Sequence, residues 1–275
     1  MALLNFVASF DGERIHYSAE GQHEICLLFV HGWGGYIDVW KHQKALASKY
    51  KLVFVDLAGH GKSTKARESF TMQSYAKDLK ALVRELNLTN IILIGWSLGG
   101  AVMLEAERLF RDRIIGLVGI DTLELKGDEY AADYSSVYFK RNPEEIARYL
   151  NHFSSDFPES FLNFYKSFLT DKMDSNDVTE LLATIKESDQ RVMLSALEEL
   201  MKWDLRKPLK ELQKPLRLIM AGEESYNAPS IRNEFEKFFS AVVFMENVKH
   251  MLFWEEPIKF NELLEEQIQQ MLTEL

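Results

Sequence analysis

Ile91-Ile92-Leu93-Ile94-Gly95-Trp96-Ser97-Leu98-Gly99-Gly100 is the stretch on which the reading of the whole chain turns. Four apolar, mostly β-branched residues predict a strand buried on both faces. Gly95-Trp96-Ser97-Leu98-Gly99 then follows the pattern G-x-S-x-G, and Ala101-Val102-Met103-Leu104-Glu105-Ala106-Glu107 reads as a helix. A strand, a sharp turn with serine at its apex and a helix form a nucleophile elbow. The spacing has a steric reason. The serine takes a strained backbone conformation that lifts its hydroxyl off the sheet, and side chains two residues to either side would clash. The Leu98 backbone N–H, at the start of the helix, would point at an oxyanion.

Outward from this centre the chain alternates strands and helices. Residues 25–30 and Leu52-Val53-Phe54-Val55 are continuous apolar runs before the elbow, and Ile114–Ile120 is another after it. Helical patterns fall at 38–48 and 71–86, the latter with Tyr75, Leu79, Leu82, Val83 and Leu86 on one face. Residues 5–18 read as two strands joined at Asp11-Gly12. This rhythm predicts an α/β fold with a mostly parallel sheet and helices on both faces. Between 122 and 205 no strand-like run occurs, and the composition turns helical and aromatic, with Tyr130, Tyr134, Tyr138, Phe139, Tyr149, Phe153, Phe157, Phe161, Phe164, Tyr165 and Phe168. An insert there would sit over the carboxyl ends of the strands. The expected organisation is a core of residues 1–121 and 206–275 with a helical cap of 122–205. In the second part of the core, 216–220 and 241–245 read as strands and 228–239 and 258–273 as helices.

Composition narrows the function classes. The chain has 275 residues, 47% of them hydrophobic, enough for one large domain with a sizeable core. A net charge of −10 argues against nucleic acid and against an anionic membrane surface. Cys26 is the only cysteine, so an internal disulfide and a cysteine metal cluster are excluded. The first residues carry no basic segment and no long apolar run, so a cytoplasmic protein without a membrane span is expected. Gly61-Lys62-Ser63 is not a phosphate loop, because aspartate stands at position 56 where that motif needs glycine.

Four motifs together resemble the α/β-hydrolase superfamily, in its capped, serine-nucleophile, esterase-like branch. His31-Gly32-Trp33-Gly34 resembles its HGxG oxyanion motif. Asp56-Leu57-Ala58-Gly59-His60-Gly61-Lys62-Ser63 resembles its D-x-x-G-x-G-x-S turn, and the elbow is the third. His250-Met251-Leu252-Phe253-Trp254-Glu255-Glu256-Pro257 resembles the H-x(4)-E-x-P segment that carries a catalytic histidine. The resemblance covers nearly all of the chain outside the cap. It implies the α/β-hydrolase fold with a helical cap inserted after the strand that follows the elbow. It also implies Ser97 as nucleophile, His250 as general base, and the backbone N–H groups of Trp33 and Leu98 as oxyanion donors. His31 and His60 lie in turn motifs and are expected to hold loops. His16, His23, His42 and His152 have no ligand partner at metal-binding spacing.

One motif departs from the family. The triad acid commonly follows the penultimate strand as G-x-x-D, and here that stretch reads Gly222-Glu223-Glu224-Ser225. Asp121, at the end of the strand after the elbow, is favoured over Glu224 and Glu223, because a strand end is a rigid base from which to reach across the sheet top. Glu124 is an outside candidate. The implied activity is carboxylesterase cleavage of a small or medium acyl ester through an acyl-enzyme on Ser97, without metal or organic cofactor. The expected partner is a small-molecule ester, with the oligomeric state left open. Trp33, Trp96 and cap aromatics are expected to line the pocket. Three alternatives stand beside this reading. The first is an acyl-carrier-protein methyl esterase, for which Lys140, Arg141 and Arg148 would supply local positive charge. The others are a perhydrolase using the same triad and a receptor with little turnover that binds a small apolar ligand under the cap.

Overall fold

The computed structural model describes residues 5–123, 143–171, 173–186, 188–223, 233, 236, 239 and 241–275. Eight strands form one sheet: β1 (Asn5–Ala8), β2 (Arg14–Glu20), β3 (Cys26–Val30), β4 (Lys51–Val55), β5 (Ile91–Trp96), β6 (Ile114–Ile120), β7 (Leu216–Ala221) and β8 (Val242–Met245). Their order is β1-β2-β4-β3-β5-β6-β7-β8. From β4 through β3, β5, β6 and β7 to β8 all pairing is parallel, and β1 and β2 add an antiparallel edge. β3 and β5 are buried at every position, which is why their sequences run apolar without alternation.

The helices α1 (Met72–Glu85) and α2 (Leu98–Phe110) pack together on the sheet. The α1 N-terminus is capped by Thr71, whose hydroxyl oxygen accepts the Ser74 N–H at 3.0 Å. Residues 37–48 form a 3-10 segment rather than the expected α-helix, kinked at Trp40. The reason is legible in the burial. Ile37, Val39, Trp40, Gln43 and Leu46 are buried, and all but Val39 fall at intervals of three, the repeat of a 3-10 helix.

Between β6 and β7 run α3 (Pro143–Ser154), α4 (Glu159–Ser167), α5 (Ser175–Lys186), α6 (Gln190–Lys202) and α7 (Arg206–Glu211). α8 (Leu252–Glu255) and α9 (Pro257–Thr273) close the chain, and α9 buries Phe260, Leu264, Ile268 and Met271. The helix expected at 228–239 and the aromatics Tyr130, Tyr134, Tyr138 and Phe139 fall largely or wholly outside the described residues. No helix among the described residues is long and apolar enough to cross a membrane.

A buried ionic network ties the β1–β2 turn to α1. The Arg67 guanidinium donates to both carboxylate oxygens of Asp78 at 2.6 Å and to Asp11, and the Ser9 hydroxyl also donates to Asp78. Asp78 is 1% exposed, so this charge depends on its partner.

Candidate active site

The order of the strands creates the site. The chain goes from β3 outward to β4 on one side and then to β5 on the other, so the loops after β3 and β5 diverge over a crevice at the carboxyl edge. Ser97 follows β5 there with φ 51° and ψ −121°, at the N-cap position before α2. That left-handed conformation is costly for serine and is held from several sides. The Ser97 N–H donates to Ile120 O at 3.1 Å, and its carbonyl accepts the Gly100 N–H at 2.9 Å and the Thr122 hydroxyl at 2.6 Å. A Cβ on Gly99 would run into the Val30 carbonyl oxygen, and one on Gly32 would stand 3.0 Å from Ser97 Cβ. The loop that carries Trp33 is therefore packed against the elbow. Leu98 is the first residue of α2, so its N–H has no intrahelical acceptor.

Asp121 stands at the carboxyl end of β6, beside the elbow, with φ 39°. Its Oδ1 accepts the Ala221 N–H of β7 at 3.0 Å, and its Oδ2 accepts the His250 Nδ1–H at 2.6 Å. Both residues are buried, Asp121 to 1% and His250 to 5% exposure. An imidazole held this way carries its proton on Nδ1 and turns Nε2 into its basic edge. The His250 carbonyl accepts the Trp96 indole N–H at 3.1 Å, and the two rings lie 5.1 Å apart. The Phe168 ring, just after α4, lies 4.5 Å from the imidazole.

The other candidates occupy different places. Glu223 follows β7 with its backbone N–H donating to Val248 O at 3.0 Å. Glu224, Glu124 and Ser225 lie outside the described residues, as do Lys140 and Arg141; Arg148 is exposed on α3. The Trp33 ring sits among Phe153, Phe161 and Phe164 of α3 and α4 and donates to Met193 O at 2.8 Å. Trp96 is packed between His250 and the core rings Trp40 and Phe253. Both indoles thus fasten the frame of the site.

The turn histidines hold loops. His31 donates from Nδ1 to Gly32 O at 2.8 Å and accepts the Leu57 N–H on Nε2 at 3.0 Å. Burial lowers its pKa. His60 donates to Ala58 O, and burial, with the neighbouring His31 adding to it, pushes its pKa down to about 3. His16, which carried no sequence signal, donates from Nδ1 to Asp56 Oδ2 at 2.7 Å, forming a second buried histidine–aspartate pair. Burial opposes the Asp56 charge, but His16 and the N–H groups of Lys62 and Ile37 outweigh it and leave the carboxyl pKa lowered. No group of three His, Cys, Asp or Glu among the described residues could hold a metal ion.

Three residues near the serine and the histidine escaped the sequence reading of the site. Thr122 was legible only as a turn residue, although its place after Asp121 was the available signal. Phe168 was one aromatic among many in the insert. Gly32 belonged to a quoted motif, but its contact with Ser97 is made across the sheet.

Known proteins share this fold. The chain is 27% identical over 247 residues to the AB hydrolase superfamily protein YisY of Bacillus subtilis (strain 168), covering 86% of this chain and 89% of that protein. It is 28% identical over 204 residues to the pimeloyl-[acyl-carrier protein] methyl ester esterase of Wigglesworthia glossinidia brevipalpis, covering 71% and 73%. The solved structure of the esterase EaEST from Exiguobacterium antarcticum superposes with a TM-score of 0.81 at 18% identity, covering 97% of this chain and 100% of that one. The family model for the alpha/beta hydrolase fold matches residues 25–257, and with the sheet order and the strand–serine–helix turn described above, the chain belongs to the alpha/beta hydrolase fold family.

Proposed function

We propose that the protein is a serine hydrolase that cleaves esters of small or medium acyl groups through an acyl-enzyme on Ser97. The observation that carries the reading is the strained Ser97 at the β5–α2 junction, with a buried His250–Asp121 hydrogen bond of 2.6 Å whose carboxylate stands at the end of β6, the strand next to β5. In the first step Ser97 Oγ bonds to the acyl carbon while its proton passes to His250 Nε2. Asp121 holds the imidazole in the tautomer with its proton on Nδ1 and stabilises the imidazolium. The N–H groups of Leu98 and Trp33 receive the oxyanion, each worth on the order of 10²–10³ in rate. The ester C–O bond then breaks, and the alcohol leaves with the proton from His250. Water attacks the acyl-enzyme, gives its proton to the same nitrogen, and the acid departs with Ser97 restored.

A narrower reading draws on the 28% identity to a pimeloyl-[acyl-carrier protein] methyl ester esterase. In that case the acid product remains on a carrier protein and methanol leaves. Perhydrolase turnover would use the same residues with peroxide in place of water.

The test is hydrolysis of a chain-length series of p-nitrophenyl esters by the wild type and by Ser97→Ala. Turnover in the wild type and its loss in the variant support the nucleophile, and the optimum chain length sizes the acyl site. A methyl ester presented free or on a carrier protein separates the carrier reading, and peroxide-dependent halogenation separates the perhydrolase. Ligand binding without any turnover in the wild type would overturn the hydrolase reading in favour of a receptor.

A further inference from the structure

Five residues beyond His250 stands a carboxylate that the reaction above does not use. Glu255 is the last residue of α8. Its Oε1 accepts the backbone N–H of Lys249 at 2.9 Å, immediately before His250. Its Oε2 accepts the hydroxyl of Thr170 in the segment between α4 and α5. Two residues before Thr170, Phe168 lays its ring 4.5 Å from the imidazole of His250. One half-buried side chain therefore grips the backbone that carries the histidine and the part of the insert that covers it.

Each contact restrains a different motion. The Trp96 indole fixes the carbonyl of His250, and Glu255 fixes the N–H of the residue before it, so the backbone is clamped on both sides of the histidine. The Thr170 hydroxyl carries the restraint across to the insert. Burial raises the pKa of Glu255, and the hydrogen bonds from Thr170 and Lys249 pull against it. A carboxylate in such a place needs both donors, since burying it without partners is unfavourable.

We infer that Glu255 is a positioning residue that holds the Phe168–Thr170 segment of the insert against His250, fixing both the imidazole and the apolar wall an acyl chain meets beside it. The inference rests on the reading of Ser97 and His250 as the reacting pair. Its consequence is a division of effects. Loosening the Lys249 side disturbs proton transfer, because small displacements of a catalytic group cost up to about 10²-fold. Loosening the Thr170 side alone disturbs the acyl wall.

The experiment compares Glu255→Ala, Glu255→Gln and Thr170→Val with the wild type on short and long p-nitrophenyl esters. Glu255→Ala should lower kcat and raise KM, each by on the order of tenfold. Thr170→Val should raise KM for the long ester by a similar factor and leave kcat nearly unchanged. Glu255→Gln should restore both, because an amide can accept from Lys249 and donate to the threonine oxygen. In parallel, amide hydrogen exchange read on all four proteins should show faster exchange at Lys249 in Glu255→Ala and across 165–171 in Thr170→Val. That readout needs no turnover, so it stands even if the esters prove not to be substrates, whereas the hydrolase reading fails separately, by absence of wild-type turnover or by turnover that survives Ser97→Ala. Wild-type KM and wild-type exchange in Thr170→Val would overturn the inference. So would Glu255→Gln behaving like Glu255→Ala. Should Glu255→Ala fail to fold, Thr170→Val and Glu255→Gln decide alone.

Discussion

Asp121 and His250 stand 129 positions apart in the chain, and the fold brings the carboxylate Oδ2 to 2.6 Å from the imidazole Nδ1. The other carboxylate oxygen is already taken by the Ala221 N–H of β7, so the carboxylate is fixed before the histidine meets it. An asparagine could occupy the same space but would favour the wrong tautomer of the imidazole. Asp121→Asn should lower kcat for p-nitrophenyl ester hydrolysis by about 10⁴-fold, while Glu223→Gln stays within a factor of about three of the wild type. The reverse pattern in steady-state kinetics would move the acid to the segment after β7.

The elbow has no slack at Gly99. A Cβ there would meet the Val30 carbonyl oxygen and, at 2.9 Å, the His31 carbonyl oxygen, and both belong to backbone that cannot rotate away. Gly99→Ala should lower stability by about 3 kcal/mol, at the upper end for overpacking, and abolish turnover by displacing the Leu98 N–H. Thermal melting and ester hydrolysis read the two effects separately.

Arg67 is the partner on which the buried Asp78 depends. It donates to both Asp78 oxygens at 2.6 Å. Arg67→Met removes the guanidinium and leaves the carboxylate buried beside α1, so it should cost about 3–5 kcal/mol. Urea unfolding measures this, and a loss below about 1 kcal/mol would show that the turn carrying Ser9 relaxes to hydrate Asp78.

His60 imposes a pH dependence on stability. Burial holds its folded pKa near about 3, against about 6.5 in the unfolded chain. Below pH 6.5 the unfolded state takes up a proton that the folded state refuses, so the stability contributed at neutral pH is lost progressively as pH falls toward 3. His60→Gln has no such proton. The stability of the wild type relative to the variant should fall by about 2 kcal/mol between about pH 7.5 and pH 5, measured as unfolding free energies at both values.

Much of this arrangement can be read from the chain, and the limits have physical causes. β3 and β5 announce themselves because both faces are covered, leaving only apolar residues. The elbow is legible because its steric demands fall within a few consecutive residues. Residues 38–48 read as an ordinary helix because repeats of 3.0 and 3.6 differ little over so short a segment. His16 and Asp56 could not be paired in advance, since their contact depends on the antiparallel register of β2 on β4. The same holds for Phe168 on His250 and for Thr170 on Glu255. These contacts arise where the insert folds back over the sheet, and no periodicity in the insert says which aromatic turns inward.

The parallel register of β6 on β7, with Leu117 opposite Leu216, means that the chain leaves the sheet and returns to the adjacent position after a single long excursion. For chain entropy, closing such an excursion depends only on the logarithm of its length. Doubling it would cost about 0.6 kcal/mol. The helices between β6 and β7 can therefore be lengthened, shortened or exchanged in evolution while the eight strands keep their register, so this part of the chain can drift without endangering the sheet.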